Sequence, residues 1–152
     1  MIDGSDARAE LITELAILIH YVGRKLSLHM PEHPDIVPLS ALEGIFLEHI
    51  SRHPGIRPSE LSADLGVKSS NTSTVLRAME DKGMVRRTVD AGDARGVQVF
   101  LTARAEAAIA RIHEDWVRIL AGLIREDDGL RAATRLLAAI DDGWPGQSTS
   151  PR

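Results

Sequence analysis

The breaks in helical periodicity constrain the fold of this 152-residue chain more than any other feature. Apolar residues recur every three or four positions along most of the sequence, which is typical of amphipathic helices. Prolines and glycines interrupt this pattern several times, and Ser40, with Glu43 three residues later, is a helix-start signal. The uninterrupted segments predict six helices, at residues 6–29, 39–53, 58–65, 69–82, 103–126 and 130–140.

One part of the chain has the two-residue alternation of β-strands. Residues 84–89 and 97–101 alternate in this way, and the turn-forming residues Ala91, Gly92 and Asp93 lie between them. This pattern predicts a β-hairpin with a charged tip that includes Arg95.

Composition excludes several classes of protein. The chain has no cysteine, which rules out thiol catalysis, disulfide frameworks and cysteine-based redox sensing. The longest apolar-rich stretch, residues 11–22, is interrupted by polar side chains and is shorter than the ~20 apolar residues that span a bilayer. The first residues are acidic, unlike a secretory leader. We therefore expect a cytoplasmic protein with no membrane partner.

The charges are distributed unevenly along the chain. The net charge is −4, but residues 51–104 carry nine lysines and arginines against six aspartates and glutamates, a net +3, and the remainder carries −7. A basic central segment between acidic flanks is typical of a local contact surface for nucleic acid.

The fourth predicted helix has an unusual composition. Its segment is rich in serine, asparagine and threonine, which helix propensity disfavours or leaves neutral. Short polar side chains and arginine can hydrogen-bond to base edges in the DNA major groove. N-capping by Ser69 or Ser70 is an alternative explanation for the first serines. The inner stripe is Thr72, Val75, Leu76 and Met79, and the candidates for base contact are Ser70, Asn71, Ser73, Thr74 and Arg77.

A short helix, a turn at Gly66, a polar-faced helix and a hairpin together predict a helix-turn-helix with a wing. In the hairpin, Arg86 and Arg87 are candidates for phosphate contact, although solvated strand residues are the simpler interpretation. Arg95 is the candidate for the minor groove or the DNA backbone, where negative potential attracts an inserted arginine. Asp93 is placed to orient its guanidinium.

The run from Glu60 to Thr102 resembles the MarR family of bacterial winged-helix transcription regulators. The family's wing has an aspartate, any residue, an arginine and then a strand ending in Leu-Thr, and Asp93, Arg95, Leu101 and Thr102 match it. The resemblance covers roughly residues 11–140. It departs at Arg57, where the family usually has a threonine or serine that caps the third helix, and Ser59 is then an alternative cap. It also departs at Thr74, where a basic residue is common in the family.

The resemblance implies a mainly α fold with a small β-hairpin wing (α+β), a winged helix-turn-helix flanked by long dimerisation helices. Residues 1–36 would form an N-terminal dimerisation helix and linker, 37–102 the DNA-binding lobe, 103–142 the C-terminal dimerisation helices and 143–152 a disordered tail. The partners would be a second copy of the chain and double-stranded DNA, with the two recognition helices about 34–36 Å apart on an imperfect palindrome.

The implied function is a sequence-specific, ligand-responsive transcriptional repressor. The alternative is a winged-helix module that binds a protein without specific DNA binding. No phosphate-binding loop, nucleophile elbow or metal-hydrolase pattern is present in the sequence, so we do not expect an enzyme.

The resemblance also implies a crevice for a small aromatic effector between the dimerisation helices and the winged-helix lobe. Core packing is the alternative role for Phe46 and Trp116. The six histidines include the pair His49 and His53 at helical spacing, but no carboxylate partner is fixed by sequence, so we predict neither a metal nor a cofactor. The implied lining residues are His20, Tyr21, Arg24, Ile45, Phe46, His49 and Trp116.

We expect Arg95→Ala to weaken binding to the DNA target by about 1–3 kcal/mol, because one guanidinium contact to DNA is lost. The melting temperature and oligomeric state should stay nearly unchanged, since the residue belongs to a predicted surface hairpin. Titration of labelled DNA with both proteins tests this expectation, and equal affinities would remove Arg95 from the interface.

Overall fold

A computed structural model describes residues 4–89, 96–125 and 127–144 of the chain. This described part contains six helices and one two-stranded hairpin, as the sequence predicts. The helices are α1 (Gly4–Leu28), α2 (Ala41–Arg52), α3 (Pro58–Asp64), α4 (Ser69–Asp81), α5 (Ala103–Ala121) and α6 (Asp127–Asp142), and the strands are β1 (Val85–Val89) and β2 (Val97–Leu101).

The largest difference from the predicted boundaries is at the end of α5. The prediction extended this helix to residue 126, because the apolar Leu123 and Ile124 continue its stripe. Instead α5 ends at Ala121 with Gly122 as its C-cap, and the next turn is closed by hydrogen bonds from the Leu123 and Ile124 amides to the Leu120 carbonyl. Glycine is a poor helix residue, so the helix stops there although the apolar pattern goes on.

The helix starts follow local capping chemistry. Ser40 and Glu43 form the predicted capping box, with the Glu43 amide donating to Ser40 Oγ at 3.2 Å and the Ser40 amide donating to Glu43 Oε2 at 2.6 Å. At α3 the expected alternative cap, Ser59, is wrong, because the helix already begins at Pro58. There the Arg57 amide donates to Glu60 Oε2 at 2.9 Å.

The core lies between α2, α3, α4, the N-terminal half of α5 and the hairpin. The strands are antiparallel, with Val85 opposite Leu101 and Val89 opposite Val97. Fully burying a side chain such as Phe46 or Leu76 contributes roughly 1.5–3 kcal/mol. The buried apolar side chains include Phe46, Leu47, Ile50, Leu61, Leu76, Met79, Met84, Val99 and Ile109.

A partly buried ion pair joins α2 to the end of α4. Lys82 Nζ donates to Glu43 Oε1 at 2.7 Å and to the Pro38 carbonyl at 2.9 Å. Burial pushes the pKa of Glu43 upward, but hydrogen bonds from Lys82 and Ser40 outweigh it and hold that pKa below its ordinary value. Lys82 is therefore a structural cation.

A second polar cluster joins the linker between α1 and α2 to α5. His33 Nε2 donates to Asp115 Oδ2 at 2.5 Å, and Arg118 Nη1 lies 3.0 Å from Asp115 Oδ1. Arg111 Nη2 lies 3.4 Å from His33 Nδ1, so the cluster extends from Asp115 through the imidazole ring to a second arginine. The hydrogen bond from His33, opposed by burial and assisted by the neighbouring arginines, holds the pKa of Asp115 below its ordinary value.

The first and last helices differ from the rest because their apolar side chains face solvent. Leu11 is 66% exposed and Leu18 49% exposed on α1, and Leu136 and Leu137 are similarly exposed on α6. Within the described residues, neither helix packs extensively on another helix or strand. None of the described helices has the length and apolarity to cross a membrane.

We expect acid to destabilise the chain through the Asp115 and Glu43 carboxylates. Both have folded-state pKa values below their ordinary range, so their contribution is complete above the unfolded values of about 4 and is lost as pH falls through the lowered folded values. Asp115→Asn should lower the melting temperature at pH 7 and flatten its decline below about pH 4.

Thermal unfolding of both proteins between pH 7 and pH 3, at one protein concentration, measures this effect. Asp81→Asn, which changes an exposed carboxylate on α4, is the matched control and should follow the wild-type curve. Parallel curves for wild type and Asp115→Asn would show that the His33–Asp115 pair does not contribute to acid sensitivity.

Candidate nucleic-acid interface

Two helices and a tight turn form the centre of the candidate site. Gly66 adopts φ +62° after α3, a left-handed conformation that glycine accepts without strain. The Ser62 hydroxyl donates to the Val67 carbonyl, and the Val67 amide donates to the Ser62 carbonyl at 3.0 Å. These bonds close the turn and fix the direction in which α4 leaves it.

The two faces of α4 have opposite environments. Thr72, Leu76 and Met79 of the predicted inner stripe are buried, and Val75 is half-buried. The helix begins at Ser69 with Lys68 as its N-cap and no side-chain cap bond, so capping does not explain the serines. Every predicted base-contact residue is exposed: Ser70, Asn71, Ser73, Thr74 and Arg77.

The outward side chains of α4 also differ in their hydrogen bonding. The Thr74 hydroxyl donates to the Ser70 carbonyl at 3.0 Å. In the described part of the chain, the side chains of Asn71, Ser73 and Arg77 form no hydrogen bond or ion pair with another residue. This face therefore presents unused donors and acceptors to solvent.

The hairpin lies beside the C-terminal end of α4. Arg87 Nε forms an ion pair with Glu80 Oε2 at 2.9 Å, which holds this arginine against α4. Arg86 is on the other face of the strand, with its guanidinium carbon 4.7 Å from the ring centroid of the cross-strand residue Phe100. Both side chains remain exposed, but each already has a partner. Asp93 and Arg95 lie outside the described residues.

Two further cations lie close to these elements and were not among the predicted site residues. Lys68 is exposed at the start of α4. Its position directly before the polar fourth helix is the sequence feature from which a role at this site could have been predicted. The Arg57 guanidinium lies about 3.6–4.0 Å from where a Cβ on Gly96 would stand, so it packs against the base of the hairpin. That contact joins positions far apart in sequence, and local pattern gives no signal for it.

The residues predicted to line an effector crevice are not gathered in one place. Phe46 is fully buried in the core, whereas His20, Tyr21 and Arg24 are exposed on α1. Ile45 is exposed on α2, His49 Nε2 is 3.1 Å from Asp64 Oδ2, and the Trp116 ring lies 5.2 Å from that of His113. A surface cavity of about 350 Å³ lies elsewhere, between residues 35–37, Met84 and α5.

Comparisons with known proteins agree on one class, the winged helix-turn-helix transcription regulators. The family model described as "MarR family" matches residues 39–97. An HTH-type transcriptional repressor of Mycobacterium tuberculosis, Rv2887, is 31% identical over 97 residues, which are 64% of this chain and 70% of the relative.

Solved structures share the fold. A mutant of MarR from Escherichia coli is 26% identical, with a TM-score of 0.62 over 83% of this chain and 96% of that one. A mutant of MepR from S. aureus, solved bound to an oligodeoxyribonucleotide, is 19% identical, with a TM-score of 0.54 over 84% of this chain and 96% of that one.

The chain belongs to the MarR family and is a transcription regulator. This confirms the resemblance and the fold class inferred from the sequence. Members of this family are not enzymes. The alternative of a protein-interaction module is not favoured by these matches.

Proposed function

We propose that this chain is a sequence-specific DNA-binding transcriptional repressor. The observation that carries the proposal is the outer face of α4, which is exposed, polar and largely without partners among the residues that the structure describes. An α-helix fits the major groove of B-DNA, where such side chains read base edges. The repressor Rv2887 and the oligonucleotide-bound MepR structure support this reading by homology and by fold.

The side chains of α4 take different roles in the proposed complex. Arg77 suits a bidentate contact to guanine and Asn71 a bidentate contact to adenine, because their donors and acceptors match those edges. Ser70 and Ser73 supply shorter hydrogen bonds. Lys68, exposed before the first turn of the helix, is placed for a phosphate contact that positions the helix without reading sequence.

The hairpin takes the role of the wing. Arg95, oriented by Asp93, is proposed to enter the minor groove or bind the backbone. Arg86 and Arg87 are both proposed to contact phosphates, and Arg86 is the more available of the two for such a contact. Arg87 has to share its guanidinium with the Glu80 carboxylate, whereas the exposed Arg86 lies over the Phe100 ring, a contact that does not require its N–H donors.

We infer that the working form is a homodimer built by residues 1–36 and 103–142, with 37–102 as the DNA-binding lobe and 143–152 as a tail outside it. Support comes from the apolar side chains of α1 and α6, which are exposed in the single chain. Soluble monomers rarely carry apolar patches of that extent. A two-fold axis would place both copies of α4 on one face of the DNA.

We also propose that a small aromatic compound controls the repressor. His20, Tyr21 and Arg24 offer aromatic and cationic groups on α1, and in the dimer they would border a crevice together with Ile45, His49 and Trp116. Phe46 would contribute only if the core around it opened, since it has no exposed surface. Such a compound can change DNA affinity only by the amount by which it prefers one dimer geometry.

The first test selects bound fragments of the source genome with the purified chain and titrates the best fragment across salt concentrations. We expect the selection to enrich one imperfect palindrome. The logarithm of the DNA-binding constant K should fall by about 0.9 for each phosphate contact when the salt concentration rises tenfold. Enrichment of no sequence, or an affinity independent of salt, would contradict the proposal.

Two substitutions separate DNA binding from dimer formation. Leu18→Asp places a charge in the proposed interface of α1. We expect this variant to have the monomer mass and to lose operator binding. Arg77→Ala removes an exposed side chain of α4, and we expect it to keep the dimer mass but weaken operator binding by about 1–3 kcal/mol.

Light scattering gives the mass, and circular dichroism reports whether each variant is still helical. A wild-type chain that has the monomer mass of 16.6 kDa at micromolar concentration would overturn the dimer.

A further inference from the structure

Thr74 lies at the centre of the exposed face of α4. Ser70 is one turn before it and Arg77 is one turn after it, so the three side chains lie along one line of the helix. Ser73, directly before Thr74, is also short. Short neighbours let a helix backbone approach the floor of the major groove, which brings the side chain between them closest to the bases.

The hydroxyl of Thr74 is engaged with its own helix. It donates its single hydrogen to the Ser70 carbonyl at 3.0 Å, so it has no hydrogen left for a base acceptor. Threonine is branched at Cβ, and the γ-methyl therefore occupies a different staggered position from the hydroxyl. The side chain is exposed, so its free end offers an apolar group to whatever covers this face.

We propose that Thr74 is a specificity residue that recognises thymine through its 5-methyl group. In the major groove the thymine methyl is the one apolar group that distinguishes its base pair, and a threonine methyl is a suitable partner for it. Arg77 is one turn away, and its guanidinium has no partner among the described residues, so the methyl contact would accompany a guanine contact in the same half-site. The inference rests on the proposed function, because it needs α4 in the groove.

The experiment replaces each thymine of the selected operator, one at a time, by deoxyuridine, which pairs identically but lacks the 5-methyl group. With the wild-type 152-residue chain, we expect one position, repeated in the two half-sites, at which loss of the methyl group weakens binding. The loss should be roughly fourfold per half-site, which is the equivalent of one buried methylene. Substitution of both half-sites should give roughly fifteenfold.

Two variants of Thr74 separate its methyl from its hydroxyl. Thr74→Val keeps a γ-methyl and removes the hydroxyl, so the sensitivity to deoxyuridine should remain. Thr74→Ser keeps the hydroxyl and removes the methyl, so wild-type and deoxyuridine operators should bind equally well. The matched control is Thr13→Ser, because the Thr13 hydroxyl makes the same kind of bond on α1, to the Ala9 carbonyl at 2.9 Å. Thr13 lies outside the proposed DNA-binding lobe, so the ratio of the affinities of Thr13→Ser for the two operators should equal that of the wild type, whatever the substitution does to the dimer.

Other outcomes overturn the inference while leaving the proposed function intact. If the chain binds its operator but no deoxyuridine position weakens binding, or if Thr74→Ser retains the sensitivity, Thr74 does not read a methyl group. If Thr74→Val alone loses affinity, the hydroxyl is the contact atom instead. Failure to select any operator would refute the proposed function itself, and the two failures are thus distinguishable.

Discussion

The packing of the inner face of α4 against the core fixes the orientation of the candidate DNA-binding surface relative to α2, α3 and the hairpin. Leu76 and Met79 are fully buried with Phe46 and Ile50 of α2, so α4 cannot rotate about its axis without exposing apolar surface. A rotation by one residue, about 100°, would bury part of the polar stripe. The identity of the outward residues is therefore fixed by burial, and the polar face stays exposed although its residues add little to helix stability.

Most of the fold could be predicted because its signals are local. The capping box at Ser40, the left-handed glycines at Gly66 and Gly83, and the alternation in the two strands each act within a few residues. The end of α5 was predicted too late in the chain. The apolar periodicity indicates that the helix continues, but the low helix propensity of glycine ends it at Gly122. The start of α4 at Ser69 was predicted correctly, but the alternative that a serine caps this helix is wrong, because Lys68 occupies the N-cap position.

Part of the candidate site could not be predicted, because contacts between residues distant in sequence decide whether a cation is available to bind a partner. The basic segment contains nine cations by sequence, but Lys82 is tied to Glu43, Arg87 to Glu80, and Arg57 packs on the hairpin. None of these contacts lies within one turn of a helix. Counting charges overstates the cations that can be offered to a partner, and the exposed fourth helix is the better guide.

The His33–Asp115 pair has a consequence for motion. Asp115 is almost fully buried, so separating the pair would leave its Oδ2 atom without the hydrogen bond from His33, and only the ion pair between Arg118 and Oδ1 would remain. The linker is thereby held to α5 at His33, and a tilt of α1 has to be taken up in the few residues between Leu28 and His33. That short stretch includes Pro31, and its location between α1 and the contact of His33 with α5 would determine how far a tilt of α1 moves this helix relative to α5.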